Sequence, residues 1–513
     1  MLAVRFNLRY FLLVKNPVNK SFKNKKVLVF GLGLLGGGVA TTNWLLKQGA
    51  KVTVTDLKDE KVLASSLKKI KGKVKLVLGG HSEKDIKENE FIVVNPDVSI
   101  NNKYVQLALK LGKKVENEAT IFLKSWQKPT VAVTGTRGKT TTTNWTAHFL
   151  KSRYRATVAG NSYSKPFLKI LDRKNKFQFA ALEIPSFALE FFVPLPKLHR
   201  PLASRDRSRM GQDSTLGSTS ALGRPDVAVI TNVYQDHLNR HGSLREYALV
   251  KASIFRNQKR NQNLILNFDN EWTKLFLKQK PKSRIWFFSG KTLPKKLNGI
   301  YVSEDKVYFQ NSGKKEAVLE IADFSKNWGR YNVLNLLASS LAAHLSGIDW
   351  QDIQKNIETL PQIAFRQETI YDNGKIKIIN DTTATSPDGG IAALERFGSP
   401  TTILIAGGTD RQLDYKGWVK VVVKNIKKEN IILLSGSATQ KMRDLINCGE
   451  ALDSLAECLK TALRKAGKFS KSVVLFSPAA KSFEKFKNEY DRGKQFNNLV
   501  KKLVKKETKV EQK

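Results

Sequence analysis

The stretch Val131-Ala-Val-Thr-Gly-Thr-Arg-Gly-Lys-Thr-Thr141 decides the reading of this chain. Thr130 to Val133 is a short apolar run of the kind that forms a buried strand. A tight glycine turn follows from Gly135 to Gly138, and Lys139-Thr140-Thr141 then opens an amphipathic helix predicted to reach about Leu150. Strand, glycine loop and helix in that order make a phosphate cradle. The N–H groups of Gly135, Thr136, Arg137, Gly138 and Thr141 point at anion oxygens, and the helix N-terminus adds partial positive charge. Lys139 is placed to reach β- and γ-phosphates and Thr140 to offer its hydroxyl to Mg²⁺. The usual pattern has a glycine five residues before the Gly-Lys pair, where this chain has Val133. A glycine-rich turn beside a solvated lysine is the bland alternative, but Gly-Lys-Thr directly after a strand rarely arises by chance.

Moving toward the N-terminus, a second glycine turn, Gly31-Leu-Gly-Leu-Leu-Gly36, follows the apolar run 26–30 and opens a helix to Gln48. Strand 51–55 ends at Asp56, at the spacing of a dinucleotide fingerprint. With an ATP-type loop elsewhere in the chain, the turn reads as holding a nucleotide-linked substrate. The diphosphate lies over Gly31, Gly33, Leu34, Leu35 and Gly36, with Asp56 on a ribose or base edge. Further strands are expected at 74–78 and 91–95, at 179–183 and 227–231, and at 376–380, 402–406, 431–435 and 472–476. Helical segments alternate with them, the pattern of parallel doubly wound sheets. The expected class is α/β with three domains. A Rossmann-like parallel sheet occupies residues 22–127, a central P-loop ATPase sheet 128–361, and a second Rossmann-like sheet 362–505. Residues 1–21 read as an N-terminal extension, 197–224 as a surface insertion rich in Ser, Arg, Gly and Thr, and 506–513 as a tail, with fraying expected from Lys501.

Composition narrows the class. Eighty-eight basic against 45 acidic residues give a net charge of +43, yet the lysines are scattered and no nucleic-acid motif with interleaved aromatics occurs. Solvated lysine-rich faces explain this better than a specific nucleic-acid partner, and an anionic substrate benefits from the field either way. Cys448 and Cys458 are the two cysteines, without metal-site spacing or a disulfide framework, which fits a reducing cytoplasm. No apolar run approaches the roughly 18–20 residues of a membrane span.

Chemistry-bearing residues cluster at predicted strand ends. Glu183, in Leu182-Glu-Ile-Pro-Ser-Phe187, offers a carboxylate that can join Thr140 on Mg²⁺. Asp236 and His237 follow strand 227–231 and face the same crevice. Lys251, in Tyr247-Ala-Leu-Val-Lys251, reads by pattern alone as a solvent-facing helix lysine.

These residues, with Gly329-Arg-Tyr-Asn-Val-Leu-Asn335, Arg366, Asn380-Asp-Thr-Thr-Ala-Thr385, Gly407-Gly-Thr-Asp410 and Ser477-Pro-Ala-Ala-Lys-Ser-Phe483, resemble the Mur ligases. That family comprises ATP-dependent amino-acid ligases of peptidoglycan precursor synthesis, and the resemblance spans about residues 25–503. It is strongest to the branch that adds D-glutamate to UDP-N-acetylmuramoyl-L-alanine. It implies ATP and two Mg²⁺ ions as cofactors. Lys139, Glu183, His237 and Lys251 become the catalytic set, and Thr140, Glu183, His237 and a CO₂-carbamylated Lys251 the metal ligands. The last role reverses the pattern-only reading of Lys251. Asn332 and Asp381 are implied to contact adenine and ribose, and Arg366 the phosphates. Asn161 and Ser186 are implied to meet the muramoyl substrate, and Thr385, Arg411 and Ser482 to line the D-glutamate pocket. A monomer is expected. The chain departs from the family at Arg137 (commonly Asn), Pro185 (often Ser), Thr383 (Lys in some members) and Arg411 (often Lys), which bears on amino-acid choice more than on reaction type. Another Mur-type ligase, a folylpolyglutamate-synthase-like ligase and a catalytically silent nucleotide-binding protein with a polyanion-binding basic surface are the alternatives. The glycine turn at Gly31 argues against the folate branch, which lacks such an N-terminal domain.

Overall fold

A computed structural model describes residues 22–34, 36–160, 165–192, 224–447 and 450–510. The described residues fall into two compact units, divided between Ala322 and Asp323, between Val333 and Leu334, and between Thr359 and Leu360.

The first unit contains two sheets. Five parallel strands run in the spatial order Lys75–Leu78, Lys51–Asp56, Lys26–Phe30, Phe91–Val94, Lys114–Glu116. Their chain order reverses between Lys26–Phe30 and Phe91–Val94, so the crevice beyond Phe30 and Val94 is the place where a doubly wound sheet takes ligands. Val27, Leu28, Val29 and Phe30 are all buried. A strand covered on both faces reads as a continuous apolar run for this reason.

Nine strands form the second sheet, ordered Lys314–Glu320, Lys306–Asn311, Gly299–Ser303, Arg284–Ser289, Asn263–Asn267, Val227–Ile230, Thr130–Thr134, Phe179–Glu183, Ala156–Gly160. Seven are parallel; the strands Lys306–Asn311 and Lys314–Glu320 add as an antiparallel hairpin at one edge. Thr130–Thr134 lies between Val227–Ile230 and Phe179–Glu183. The phosphate-loop turn, Glu183 and the segment after Ile230 therefore emerge side by side. The five strands from Asn263 to Glu320 were not foreseen. They are short and follow one another without long intervening helices, so no helix period marks them off.

The second unit holds six strands in the order Glu368–Asp372, Ile376–Asn380, Ser472–Phe476, Thr402–Ala406, Ile431–Leu434, Glu450–Leu452, parallel except for the first. The final helix runs Glu489–Val510, so the segment expected to fray from Lys501 continues it. Val500 is buried, and Leu499, Leu503 and Val504 pack on the sheet at helical spacing, which holds the helix down.

Candidate active site

The phosphate-loop turn is built by backbone that only glycine accommodates. Gly135 has φ 150°, and a Cβ there would lie 1.9 Å from Thr231 Oγ1. Gly138 has φ 81°, and its Cβ would lie 2.2 Å from Asn335 Oδ1. Neighbouring segments hold the loop open, and they take up the amides of Thr136 and Arg137 that were expected to point at anion oxygens. Thr136 N donates to Asn232 O at 2.9 Å, Arg137 N donates to Asn232 Oδ1 at 2.8 Å, and Thr231 Oγ1 donates to Arg137 O at 2.6 Å. Helix Lys139–Leu150 starts at Gly138 with no side-chain cap and no acidic residue in its first turn. A helix start of this kind, with neither a capping side chain nor a carboxylate in its first turn, is the arrangement an anion requires.

Around this turn the structure gathers most of the residues singled out in the first unit. Thr140 Oγ1 donates to Glu183 Oε1 at 3.0 Å. Glu183 is buried and forms no ion pair among the described residues. Lys139 Nζ donates to Gly135 O at 3.0 Å and Thr136 O at 3.1 Å. Arg137 Nη1 meets Asp236 Oδ2 at 2.9 Å, and His237 Nε2 lies 3.7 Å from the same oxygen. His237 has φ 53° and begins the short helix Leu238–His241. A left-handed backbone at a side chain other than glycine costs about 1–2 kcal/mol, paid here beside the site.

Lys251 corrects the pattern-only expectation. It is 1% exposed, not solvent-facing. Helix Leu244–Ala252 packs on both sides, so helical spacing alone misassigned its outer face. Its Nζ donates to Gly135 O at 3.0 Å and lies 4.1 Å from the Tyr247 ring centroid. Burial, with Lys139 and Arg137 adding to it and Asp236 opposing, holds its amine well below the usual lysine range.

The donors suit Mg²⁺ in one respect. A hydroxyl and an unpaired buried carboxylate stand side by side at an anion-ready turn, and Mg²⁺ is commonly held by one or two protein oxygens plus substrate phosphates. Among the described residues no cluster of three or more His, Cys, Asp and Glu forms a metal site on protein groups alone.

At the first sheet, helix Gly37–Lys47 also starts from a left-handed glycine, Gly36, without a side-chain cap or an acidic first turn. The other helices flanking this sheet are capped by Asp59, Ser82, Asn102 and Asn117. Gly31 and Gly33 have positive φ, and Leu34 is exposed at the turn. Asp56 is buried. Its Oδ2 accepts from Leu32 N at 2.8 Å and Gly33 N at 2.9 Å, and its Oδ1 accepts from Lys58 N at 2.9 Å. The carboxylate thus braces the glycine turn. Leu35 and Asn161 lie outside the described residues, as do residues 1–21, 197–223 and Cys448.

In the second unit, Asp381 is buried, with Oδ2 accepting from Ser477 Oγ at 2.8 Å and Oδ1 from Gln367 N at 3.0 Å. Burial pushes its carboxyl up to about 7 against the pull of Ser477, Gln367, Arg366 and Arg396. Asn332 Nδ2 donates to Trp328 O at 2.9 Å. Ser482 is buried, and its Oγ has no hydrogen-bond partner among the described residues. The loops carrying Thr385 and Ser482 are tied by Arg492, which is fully buried and donates to Thr382 O, Thr382 Oγ1, Ala480 O and Lys481 O at 2.8–3.2 Å. Arg411 is half-buried after strand Thr402–Ala406.

Sequence comparison is consistent with this arrangement. The family model described as Mur ligase MurD-like, N-terminal domain, matches residues 25–117, and that of the Mur ligase middle domain matches residues 207–343. A protein of Roseiflexus sp. named UDP-N-acetylmuramoylalanine–D-glutamate ligase is 31% identical over 489 residues, covering 93% of this chain and 98% of its own. One of the same name from Borreliella afzelii is 33% identical over 490 residues, covering 93% and 98%. The chain belongs to the Mur ligase family. Solved Mur ligases share the fold at low identity. MurF of Thermotoga maritima in complex with ADP has a TM-score of 0.53 and 17% identity, over 96% of this chain and 98% of its own. The UDP-N-acetylmuramate–alanine ligase of the same organism has a TM-score of 0.54 and 18% identity, over 93% and 100%.

Some residues that shape this Mur ligase's site were not singled out. Asn335 abuts Gly138 and accepts from Thr142 Oγ1 at 3.3 Å. Thr231 holds the loop from beneath, and Tyr247 walls Lys251. Asn335 and Tyr247 stand inside quoted motifs, and Thr231 closes the expected strand 227–231, where its place at a strand end was the signal. Ser186, whose Oγ lies 3.2 Å from His241 Nε2, sits with the Glu183 segment.

Proposed function

We propose that this chain joins D-glutamate to UDP-N-acetylmuramoyl-L-alanine, with ATP cleaved to ADP and phosphate, in peptidoglycan precursor synthesis. The observation that carries the reading is the likeness, across nearly the full length of both chains, to ligases named for that reaction. The uncapped helix behind Gly138 and the Thr140–Glu183 pair support the nucleotide half of it.

In this reading the 135–141 loop and Lys139 grip the ATP phosphates. Thr140 and Glu183 would hold one Mg²⁺. His237 and Lys251, the latter converted to a carbamate by CO₂, would hold a second. The ions supply charge neutralisation on the phosphoryl oxygens. A buried, weakly basic amine is chemically suited to carbamylation because its neutral form carries the reacting lone pair. Asn332 and Asp381 take adenine and ribose, and Arg366 the phosphates. The glycine turn 31–36, with Asp56 bracing it, and Asn161 and Ser186 take the UDP-linked substrate. Thr385, Arg411 and Ser482 take D-glutamate, whose carboxylate would complete the hydroxyl of Ser482.

A carboxylate is a poor electrophile. Attack of its oxygen on the γ-phosphorus releases ADP and leaves an acyl phosphate with a good leaving group. The D-glutamate amine, freed of its ammonium proton, then attacks the acyl carbon; the adduct expels inorganic phosphate, and the second nitrogen proton leaves with it as hydrogen phosphate to give the amide. Phosphate release should be measured on UDP-N-acetylmuramoyl-L-alanine with a panel of amino acids. Turnover with D-glutamate and none with L-alanine, L-lysine or diaminopimelate is the expected result. Equal release with every amino acid, or none with any, refutes the assignment.

A further inference from the structure

Arg240 ties three segments that carry separate parts of this site. Its guanidinium grips Glu190 bidentately, Nε to Oε1 at 2.7 Å and Nη2 to Oε2 at 2.9 Å. The remaining donors reach the loop that follows strand Phe91–Val94, with Nη1 donating to Pro96 O at 2.8 Å and Nη2 to Val98 O at 2.9 Å. Glu190 Oε2 also accepts from Ile100 N at 3.2 Å. The pair is deeply covered, with side-chain exposures of 11% and 4%. Arginine's fixed fork suits this four-way contact, and a lysine could satisfy only part of it.

What this joins matters more than what it stabilises. The 95–98 loop walls the glycine turn of the first sheet. Asn95 Cβ lies 3.0 Å from where a Cβ on Gly31 would stand, and Asn95 Nδ2 donates to Gly31 O at 3.3 Å. Arg240 itself lies three residues after His237 in helix Leu238–His241. Its guanidinium carbon sits 4.2 Å from the Phe187 ring centroid, and that ring meets the His237 imidazole edge-on at 4.7 Å. Glu190 lies in the turn that continues from Glu183 and Ser186.

We propose that the Arg240–Glu190 pair is a positioning element. It fixes the distance between the crevice that takes the nucleotide end of the UDP-linked substrate and the His237–Glu183 end, where that substrate's carboxylate is activated. This rests on the function proposed above. A substrate held at both ends is sensitive to that distance, because misplacement of reacting atoms by about 1 Å can cost a hundredfold in rate. ATP, held by the 135–141 loop, does not cross the joint.

The test compares wild type, Arg240→Gln, Arg240→Lys and Glu190→Gln by steady-state kinetics, by calorimetric binding of UDP-N-acetylmuramoyl-L-alanine and of ADP, and by thermal melting. For both Arg240 variants the expected result is a fall of about tenfold to a hundredfold in kcat/KM for the UDP-linked substrate, with ADP binding within about twofold of wild type. Lysine should give little rescue, and Glu190→Gln a smaller fall in the same direction. If Arg240→Gln does not fold, Arg240→Lys and Glu190→Gln carry the comparison. Unchanged kinetics in folded variants overturn the proposal, and so does a loss of ADP binding that parallels a loss of melting temperature, which would make the pair a general brace. Failure of wild type itself to bind the UDP-linked substrate would instead remove the functional reading beneath it.

Discussion

Arg492→Met separates holding a fold together from shaping a pocket. Arg492 makes four hydrogen bonds, to Thr382 O and Oγ1, Ala480 O and Lys481 O. Lys481 O keeps a second donor, Thr409 N at 2.8 Å, so the substitution orphans chiefly the carbonyls of Thr382 and Ala480. Leaving two buried carbonyls unpaired costs about 2–6 kcal/mol. Against this, the guanidinium is itself costly to bury: desolvation pulls it down to about 10, opposed by Glu489 and Asp381. A displacement of that size corresponds to about 3 kcal/mol recovered when the charge is removed. The two effects nearly offset, and methionine fills much of the volume, so the net loss of stability is expected at about 0–3 kcal/mol. The loops bearing Thr385 and Ser482 lose their shared anchor regardless. Urea unfolding should therefore show a modest shift in midpoint while the KM for D-glutamate rises about tenfold or more. A midpoint shift worth more than about 5 kcal/mol with an unchanged KM would refute this, because it would make Arg492 a stability residue alone.

Three further outcomes follow. Glu183→Gln keeps the acceptor for Thr140 Oγ1; folding should be unaffected while Mg²⁺-dependent turnover drops by at least about a hundredfold, read from activity across a Mg²⁺ titration. Gly135→Ala should abolish nucleotide binding, measured by calorimetry with ADP, because the new methyl must displace the buried Thr231 hydroxyl at a cost of about 1–3 kcal/mol. Asp381 has a folded pKa raised to about 7 by burial. For a raised carboxyl the folded state binds the proton more tightly, so its contribution is present at low pH and is lost as pH climbs from about 4 to about 7. Asp381→Asn can keep both hydrogen bonds, so its denaturation midpoint should change less than wild type over that window; parallel pH profiles for the two proteins would contradict the assignment.

Legibility in the sequence tracked how local the determining physics was. The glycine turns at 31–36 and 135–138, the strands behind them, Asp56 and Glu183 at strand ends and Thr140 at a helix start all follow from a few adjacent residues. Their spacing is set by one turn or one strand. The antiparallel hairpin Lys306–Glu320 and the strands before it were missed because each is short and pairs through contacts that no periodicity announces. Lys251 was misread by pattern for a related reason. Its helix meets the phosphate loop from outside, and only the folded arrangement puts Gly135 O within reach of the amine.

The residues that connect sites were the least legible of all. Arg240 looks like an ordinary charge in a short helix, and Glu190 like an ordinary acid in a turn. Their meaning lies in a separation of 50 residues in the chain and in the carbonyls of Pro96 and Val98, which have no side-chain signature. Arg492 is similar, since it too spends its charge on backbone oxygens. A substrate-binding side chain is selected by what it touches and tends to sit in a recognisable motif. A residue that holds two motifs at a set distance is selected by geometry between elements, and any element with an arginine at the right place can supply it. The prediction for Arg240 therefore depends on the arrangement of three segments, and the contrast between substrate binding and nucleotide binding is the measurement that exposes it.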